Sequence, residues 1–269
     1  MTLALQRLPI PVLGLLVVGL PVLLAVVGLL LVRARVPHPR LQPHHDVAGY
    51  IYSGLAVLYA VLLAFVVIAV WGQFDATRSR VQIEADALGD LVRQAEVFPL
   101  PVQRAIFDAV RTYAKSVVED EWPTMARGAE SPLTRQAYTH LWQTMRNVEP
   151  RTPTEVNWHA TMLQSLTAAS DGRRDRLDDG RAVLHPVLWV VLLSGGVINV
   201  SYIYLFGVRS LMAHLIITTA LSTMTTLLLL VILMLDRPFA GSLRVEPEPF
   251  VRLLGHLDQV AQQTAEREP

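Results

Sequence analysis

The residues best suited to act on an ion follow the second apolar segment of the chain. Arg78, Arg80, Glu84 and Asp86 lie there at short spacings. In an oligomer, rings of such charges can bias the passage of cations against anions. Both signs occur together, so a helix face exposed to water explains them equally well. We take these four residues as candidate charges at the inner mouth of a pore, without a prediction of selectivity from charge.

Residues that could hold a metal or perform catalysis are sparse. The sequence HHD at 44–46 could bind a metal, but its spacing is loose, and a short polar loop is the more common structure for it. The adjacent acids at 119–121 point in different directions on a helix, which predicts a solvated helix end and not an acid–base pair. The Walker, GxGxxG, HExxH and GxSxG motifs are missing, as are cysteines. We therefore predict no enzyme, no cofactor and no metal site.

The elements that would position these residues are dominated by apolar segments. The chain is 52% hydrophobic and only 17% charged, whereas soluble proteins are nearer a quarter charged. Four apolar blocks cover 8–32, 50–71, 184–208 and 211–235, and each approaches the roughly 20 residues needed to cross a bilayer. We interpret the first block, which Pro21 should kink, as a retained transmembrane helix and not a cleaved signal peptide. The formal net charge of zero argues against a nucleic-acid partner.

Arginines near the membrane ends predict the orientation. On one side lie Arg33, Arg35, Arg40 and Arg209. The other side carries the larger set: Arg7, Arg78, Arg80, Arg173, Arg174, Arg176, Arg181, Arg237 and Arg244. We predict that both termini and the central segment are cytoplasmic, in a bacterial-type plasma membrane.

The polar segment between the second and third apolar blocks predicts a helical domain. The second membrane helix continues into it and stops before Pro99, and a further helix follows from Pro101. Ser131-Pro132 and Thr152-Pro153 each form a good helix start. The predicted fold is therefore an all-α membrane protein with four transmembrane helices and a cytosolic antiparallel helical domain between helices 2 and 3. Its predicted divisions are a hairpin at 1–72, the cytosolic domain at 73–182, a second hairpin at 183–236 and a cytosolic tail at 237–269.

The second membrane helix carries the pore-lining candidates. Leu58, Leu62, Phe65, Ile68 and Gly72 lie along one side of it. Repeated around a symmetry axis, they would form an apolar constriction, which can gate by dewetting. The helix is apolar all round, however, so its sequence does not by itself identify a face.

The fourth membrane helix contains a polar run, ITTALSTMTT, in which Thr218, Ser222 and Thr225 share a face. These hydroxyls could line a wet pathway. Helix packing, with the hydroxyls bonded to their own backbone, is the interpretation we favour.

Three ordered blocks of the sequence carry a family resemblance. They are FVVIAVWGQFDATRSRVQIEADALGDLVRQAEVFP, YAKSVVEDEWP and LDRPFAGSLRVEPEPF. Together they resemble the bestrophin-like proteins of bacteria and plants. The resemblance covers about residues 45 to 250, and implies kinship with bestrophins, which are homopentameric, mostly anion-selective channels with a cytosolic helical domain.

The resemblance implies roles for two groups of residues. An apolar gate on the second helix would fall near Phe65 and Ile68. The third block ends the last membrane helix at Asp236, Arg237, Pro238 and Phe239, which we interpret as a structural latch to the cytosolic domain. Calcium activation is not expected, since only Glu246 and Glu248 follow the latch.

Two hypotheses follow from the sequence. The first is an oligomeric ion channel in the lipid bilayer, a pentamer by preference, that passes an inorganic ion with anions slightly favoured. The alternative is a non-conducting scaffold or sensor whose cytosolic helices bind a partner.

Overall fold

The computed structural model describes residues 9–36, 45–206 and 208–266. Every regular element among them is helical, which confirms the all-α prediction. In chain order the α-helices are α1 (Ile10–Gly14), α2 (Leu20–Arg35), α3 (His45–Ala95), α4 (Leu100–Ser116), α5 (Trp122–Met125), α6 (Pro132–Arg146), α7 (Pro153–Arg181), α8 (Pro186–Ile203), α9 (Leu211–Leu235) and α10 (Glu248–Glu266). Two π turns, Leu15–Gly19 and Val117–Glu121, interrupt otherwise continuous helices.

Four helical stretches are long and apolar enough to cross a membrane, as far as length and composition decide it. They are Ile10–Arg35, Gly49–Ala95, Pro186–Ile203 and Leu211–Leu235. Their positions match the four apolar blocks of the sequence. The irregularity expected at Pro21 is the π turn just before it, since the proline nitrogen cannot donate to a carbonyl of the preceding turn.

The described chain divides into two compact units. The first contains residues up to Gln73, Val183–Asp236 and Gly241–Leu243. The second contains Phe74–Ala182, Arg237–Ala240 and the residues from Arg244 onward. α3 contributes its first part to the first unit and its second part to the second.

Close helix packing holds the first unit together. A Cβ added at Gly195 would lie 2.8 Å from the ring of Tyr59, so only glycine allows α8 to approach α3 this closely. The Tyr59 hydroxyl donates to the carbonyl of Leu192 at 2.9 Å. Tyr204 in turn donates to the carbonyl of Ala25 at 2.8 Å, and this bond ties the end of α8 to α2.

The second unit is built on an apolar core to which α3, α4, α6, α7 and α10 contribute. Its helix starts follow the predicted chemistry. Ser131 accepts a hydrogen bond from the backbone of Thr134, and Thr152 accepts one from Glu155. The Glu155 carboxylate completes the box by accepting from the backbone of Arg151, one residue before the cap.

Candidate functional site in the long helix

The apolar part of α3 packs on its own unit along a single stripe. Tyr59, Leu63, Val66 and Val70 are buried, at the spacings of four and three that define one side of a helix. The sequence could not single out this side, because apolar residues surround the helix. The packing does so through the glycines of α8, which admit the ring of Tyr59.

The opposite side of α3 is uncovered, and it carries most of the pore-lining candidates. Leu58, Phe65 and Ile68 are 71%, 69% and 67% exposed, although all three are large and apolar. Gly72 is also exposed, and nothing lies within 4 Å of the position its Cβ would take. Leu62 differs, being half-buried at the flank of the packed stripe. The described chain thus leaves a long apolar helix face without a partner.

The four candidate mouth charges occupy different environments. Arg78 and Asp86 are exposed. Arg80 is half-buried and donates to both carboxylate oxygens of Asp179, at 2.6 and 2.8 Å. Glu84 is fully buried inside the second unit.

Glu84 belongs to a buried charge cluster that joins three segments. The Arg176 guanidinium binds both oxygens of Glu84, at 2.6 and 3.1 Å, and one oxygen of Glu121 at 2.8 Å. Arg173 binds the other oxygen of Glu121 at 2.8 Å and reaches Glu130 at 3.0 Å. Sequence reasoning did not predict this cluster, because Arg173 and Arg176 were used only as evidence for membrane orientation.

The π turn explains how Glu121 reaches the cluster. Glu121 is the last residue of the turn Val117–Glu121 and is fully buried. The prediction of a solvated helix end is therefore wrong for Glu121, although Glu119 is exposed as predicted. One extra residue in a helical turn changes the direction in which the following side chains point.

Burial and charge pairing shift the pKa of Arg176, Tyr113 and Glu130. Desolvation would lower the pKa of Arg176, but the Glu84 carboxylate raises that pKa well above its ordinary value. Burial raises the pKa of Tyr113 well above 10, so its hydroxyl stays protonated and donates to Glu84 at 2.6 Å. At the edge of the cluster, the hydrogen bond from Arg135 lowers the pKa of Glu130 to about 2.

The proposed latch residues divide between the units. An Asp236 oxygen accepts a hydrogen bond from the backbone of Leu184 at 2.6 Å within the first unit. Phe239 is buried in the second unit, where its ring meets that of Trp122 edge-on at 5.4 Å. Between them come Arg237, which is half-buried, and Pro238, whose carbonyl accepts from the backbone of Val245 at 2.7 Å.

The polar run of α9 mostly bonds to its own backbone. Ser222 donates to the carbonyl of Thr218, and Thr226 donates to that of Ser222, each at 2.7 Å. Such hydroxyl-to-backbone bonds are what the helix-packing interpretation of this run predicts. The hydroxyl of Thr218 is buried and has no hydrogen-bond partner among the described residues.

The described residues contain no group of three or more potential metal ligands. Residue 44 of the HHD sequence lies outside the described part of the chain, so that candidate stays untested.

Known proteins share this sequence pattern and this architecture. A family model for the bestrophin-like domain matches residues 19–250. The chain belongs to the bestrophin-like family. This confirms the resemblance inferred from the three sequence blocks.

Solved structures with the fold of this bestrophin-like chain include bacterial relatives. A point variant of a bestrophin homologue from Klebsiella pneumoniae is 13% identical, with 90% of this chain and 96% of that chain covered and a TM-score of 0.67. The same description applies to a zinc-phased structure of a homologue from that organism, at 14% identity, 93% and 99% coverage and a TM-score of 0.65. At such identities the likeness shows the fold. None of the curated proteins matches the sequence.

The apolar helices and the family together make this bestrophin-like chain an integral membrane protein. Its uncovered helix face and its buried charge cluster lie on the same element, α3.

Proposed function

We propose that the protein is an oligomeric ion channel, a pentamer by preference, whose pore is lined by α3. One observation carries this proposal. The described residues leave uncovered the face of α3 that holds Leu58, Phe65, Ile68 and Gly72, while the opposite face is packed. Bestrophin family members are channels and not enzymes, which supports it. Phe65 and Ile68 would form the apolar constriction.

The proposed topology has four transmembrane helices, with both termini and the second unit in the cytoplasm. The arginines at 33–40 counted against this orientation in the sequence. Arg33 donates to the carbonyls of Val208 and Arg209, at 3.1 and 2.7 Å. The guanidinium thus binds the connection between α8 and α9, and this structural role explains the position of Arg33 without reference to membrane orientation.

Two features bear on whether the permeant ion is an anion or a cation: the family resemblance and the charges of α3. The family resemblance slightly favours anions. The exposed charges of α3 favour neither sign, because they include the carboxylates Asp75, Asp86 and Asp90 as well as the guanidiniums of Arg78 and Arg93. Arg93 also pairs with Asp90 at 3.2 Å. Glu84 does not count among the exposed charges, since it is buried and paired.

The proposal is tested with purified protein in planar bilayers under asymmetric KCl. A channel gives unitary currents, and the reversal potential distinguishes chloride from potassium as the permeant ion. Phe65→Ala should raise the unitary conductance or the open probability, because it widens an apolar constriction. Ile216→Ala removes an equally exposed apolar side chain from α9 and should leave both unchanged.

The scaffold hypothesis predicts a different result. A well-folded oligomer that stays silent, both as the native chain and as Phe65→Ala, would contradict the channel. It would leave the uncovered face of α3 as a surface for assembly or for lipid.

A further inference from the structure

Polar contacts connect α3 to α7 in the second unit, where the core around them is apolar. The Thr77 hydroxyl donates to Asp179 at 2.9 Å, and Arg80 binds the same carboxylate. Two turns further along α3, Glu84 receives the paired nitrogens of Arg176. Three successive side chains on one face of α3 are therefore matched to α7 by directional bonds.

The two helices are in tight contact at Glu84. A Cβ added at Gly172 of α7 would lie 2.9 Å from the Cβ of Glu84 and 3.2 Å from its Cα. A side chain at position 172 would push the helices apart. The charge cluster thus lies at a tight contact between α3 and α7, where a small displacement of α3 would disturb the bonds of Glu84.

The cluster is balanced and closed to water. Glu84, Glu121 and Arg176 are completely buried, and Arg173 nearly so, with aromatic rings against the guanidinium of Arg176. Buried ion pairs add little net stability compared with apolar groups of the same shape, because desolvation offsets their attraction. Their bonds are directional, however, so they favour one relative position of the elements that carry them.

We infer that Glu84 is a positioning residue: with Arg176 and Glu121 it fixes the rotation and the axial position of α3 against α7. It does not meet a permeant ion. The inference rests on the proposed function in one respect, namely that the helix so positioned is the one that lines the pore.

A disulfide within one chain measures this position without any current. The natural sequence contains no cysteine, and the side chains of Gln94 and Ser165 bond to each other at 3.0 Å further along the same two helices. The double variant Gln94→Cys/Ser165→Cys places two thiols at facing positions of α3 and α7, and its rate of disulfide formation under mild oxidation is the reference rate. In the full-length protein, Glu84→Gln should slow disulfide formation by about tenfold or more, which corresponds to about 1.4 kcal/mol.

Two control variants separate positioning from general loss of stability. Leu88→Ala empties part of the apolar core on the same helix, and should lower thermal stability while the disulfide forms at nearly the native rate. Asp86→Asn neutralises an exposed carboxylate two residues from Glu84, and should change neither quantity. If the disulfide forms as fast in Glu84→Gln as in Leu88→Ala, the inference is wrong.

Should Glu84→Gln fail to fold, Arg176→Lys tests the same cluster, because lysine keeps the charge but cannot reproduce the planar, paired contacts with Glu84 and Glu121. Its disulfide rate should also fall, and a native rate would overturn the inference.

The bilayer recording gives a separate result: Glu84→Gln should alter the open probability and preserve the reversal potential, whereas a shifted reversal potential would make Glu84 a mouth charge. A native chain without current counts against the channel, and the disulfide rates still decide the positioning role.

Discussion

The two parts of α3 expose opposite kinds of surface, although both are the same continuous helix. In the first unit, a stripe from Tyr59 to Val70 is packed and the other side exposes large apolar residues. In the second unit, the packed stripe includes Glu84 together with Leu88, and the exposed side carries charges such as Asp86. Only the second arrangement is what a protein surface in water requires.

This difference shows where the part of the chain that the structure describes leaves a surface without a partner. An exposed charged face is complete in water, but an exposed apolar face needs lipid or another copy of the chain. The first part of α3 is therefore where assembly and conduction are to be sought. The second part is where the fold of the single chain is stabilised.

The largest expected difference between the two parts of α3 comes from truncating one leucine side chain in each part. Leu88→Ala leaves a cavity in a closed core and should lower the free energy of unfolding by about 2–5 kcal/mol. Leu58→Ala truncates an exposed side chain and should change it by less than about 0.5 kcal/mol. Thermal unfolding of both variants in the same detergent measures the difference. Equal losses would mean that Leu58 is covered in the folded protein.

A smaller effect is expected where the first unit relies on a single polar contact. Tyr59→Phe keeps the ring over Gly195 but removes the hydroxyl that donates to Leu192, so it should cost about 1 kcal/mol. The unfolding midpoint measures this change. Tyr50→Phe, at a tyrosine that is 82% exposed, is the matched control and should have no effect.

Local signals in the sequence predicted much of the fold. The apolar blocks, Ser131 and Thr152 at helix starts and the stop at Pro238 all depend on neighbouring residues, so a single sequence was sufficient to find them. The face of α3 was different. It depends on Gly195 and Gly196, which meet Tyr59 only after the chain has folded.

The charge cluster was beyond sequence reasoning for a similar reason. Glu84 and Arg176 are 92 residues apart, and the bond between them requires that α3 and α7 pack side by side. Glu121 required in addition a π turn, which helical periodicity cannot anticipate. The only available signal was the number of arginines late in α7, and these were assigned to membrane orientation.

A further prediction concerns pH at the edge of the cluster. The pKa of Glu130 is lowered from 4.5 to about 2, chiefly by the hydrogen bond from Arg135. Its charged form therefore stabilises the fold above pH 4.5, and this contribution is lost as pH falls through about 2. Glu130→Gln should lower the melting temperature at pH 6, and the difference from the native chain should shrink steadily as pH falls from 4.5 towards 2. A difference that is independent of pH would contradict the assigned charge.

The central claim is that the uncovered face of α3 lines a conducting pore. Phe65→Cys tests it directly, because the natural chain has no cysteine to compete for a thiol reagent. During bilayer recording, a charged, water-soluble methanethiosulfonate should reduce or abolish the current of Phe65→Cys and leave that of Ile216→Cys unchanged. A current of Phe65→Cys that persists after complete labelling would contradict the claim.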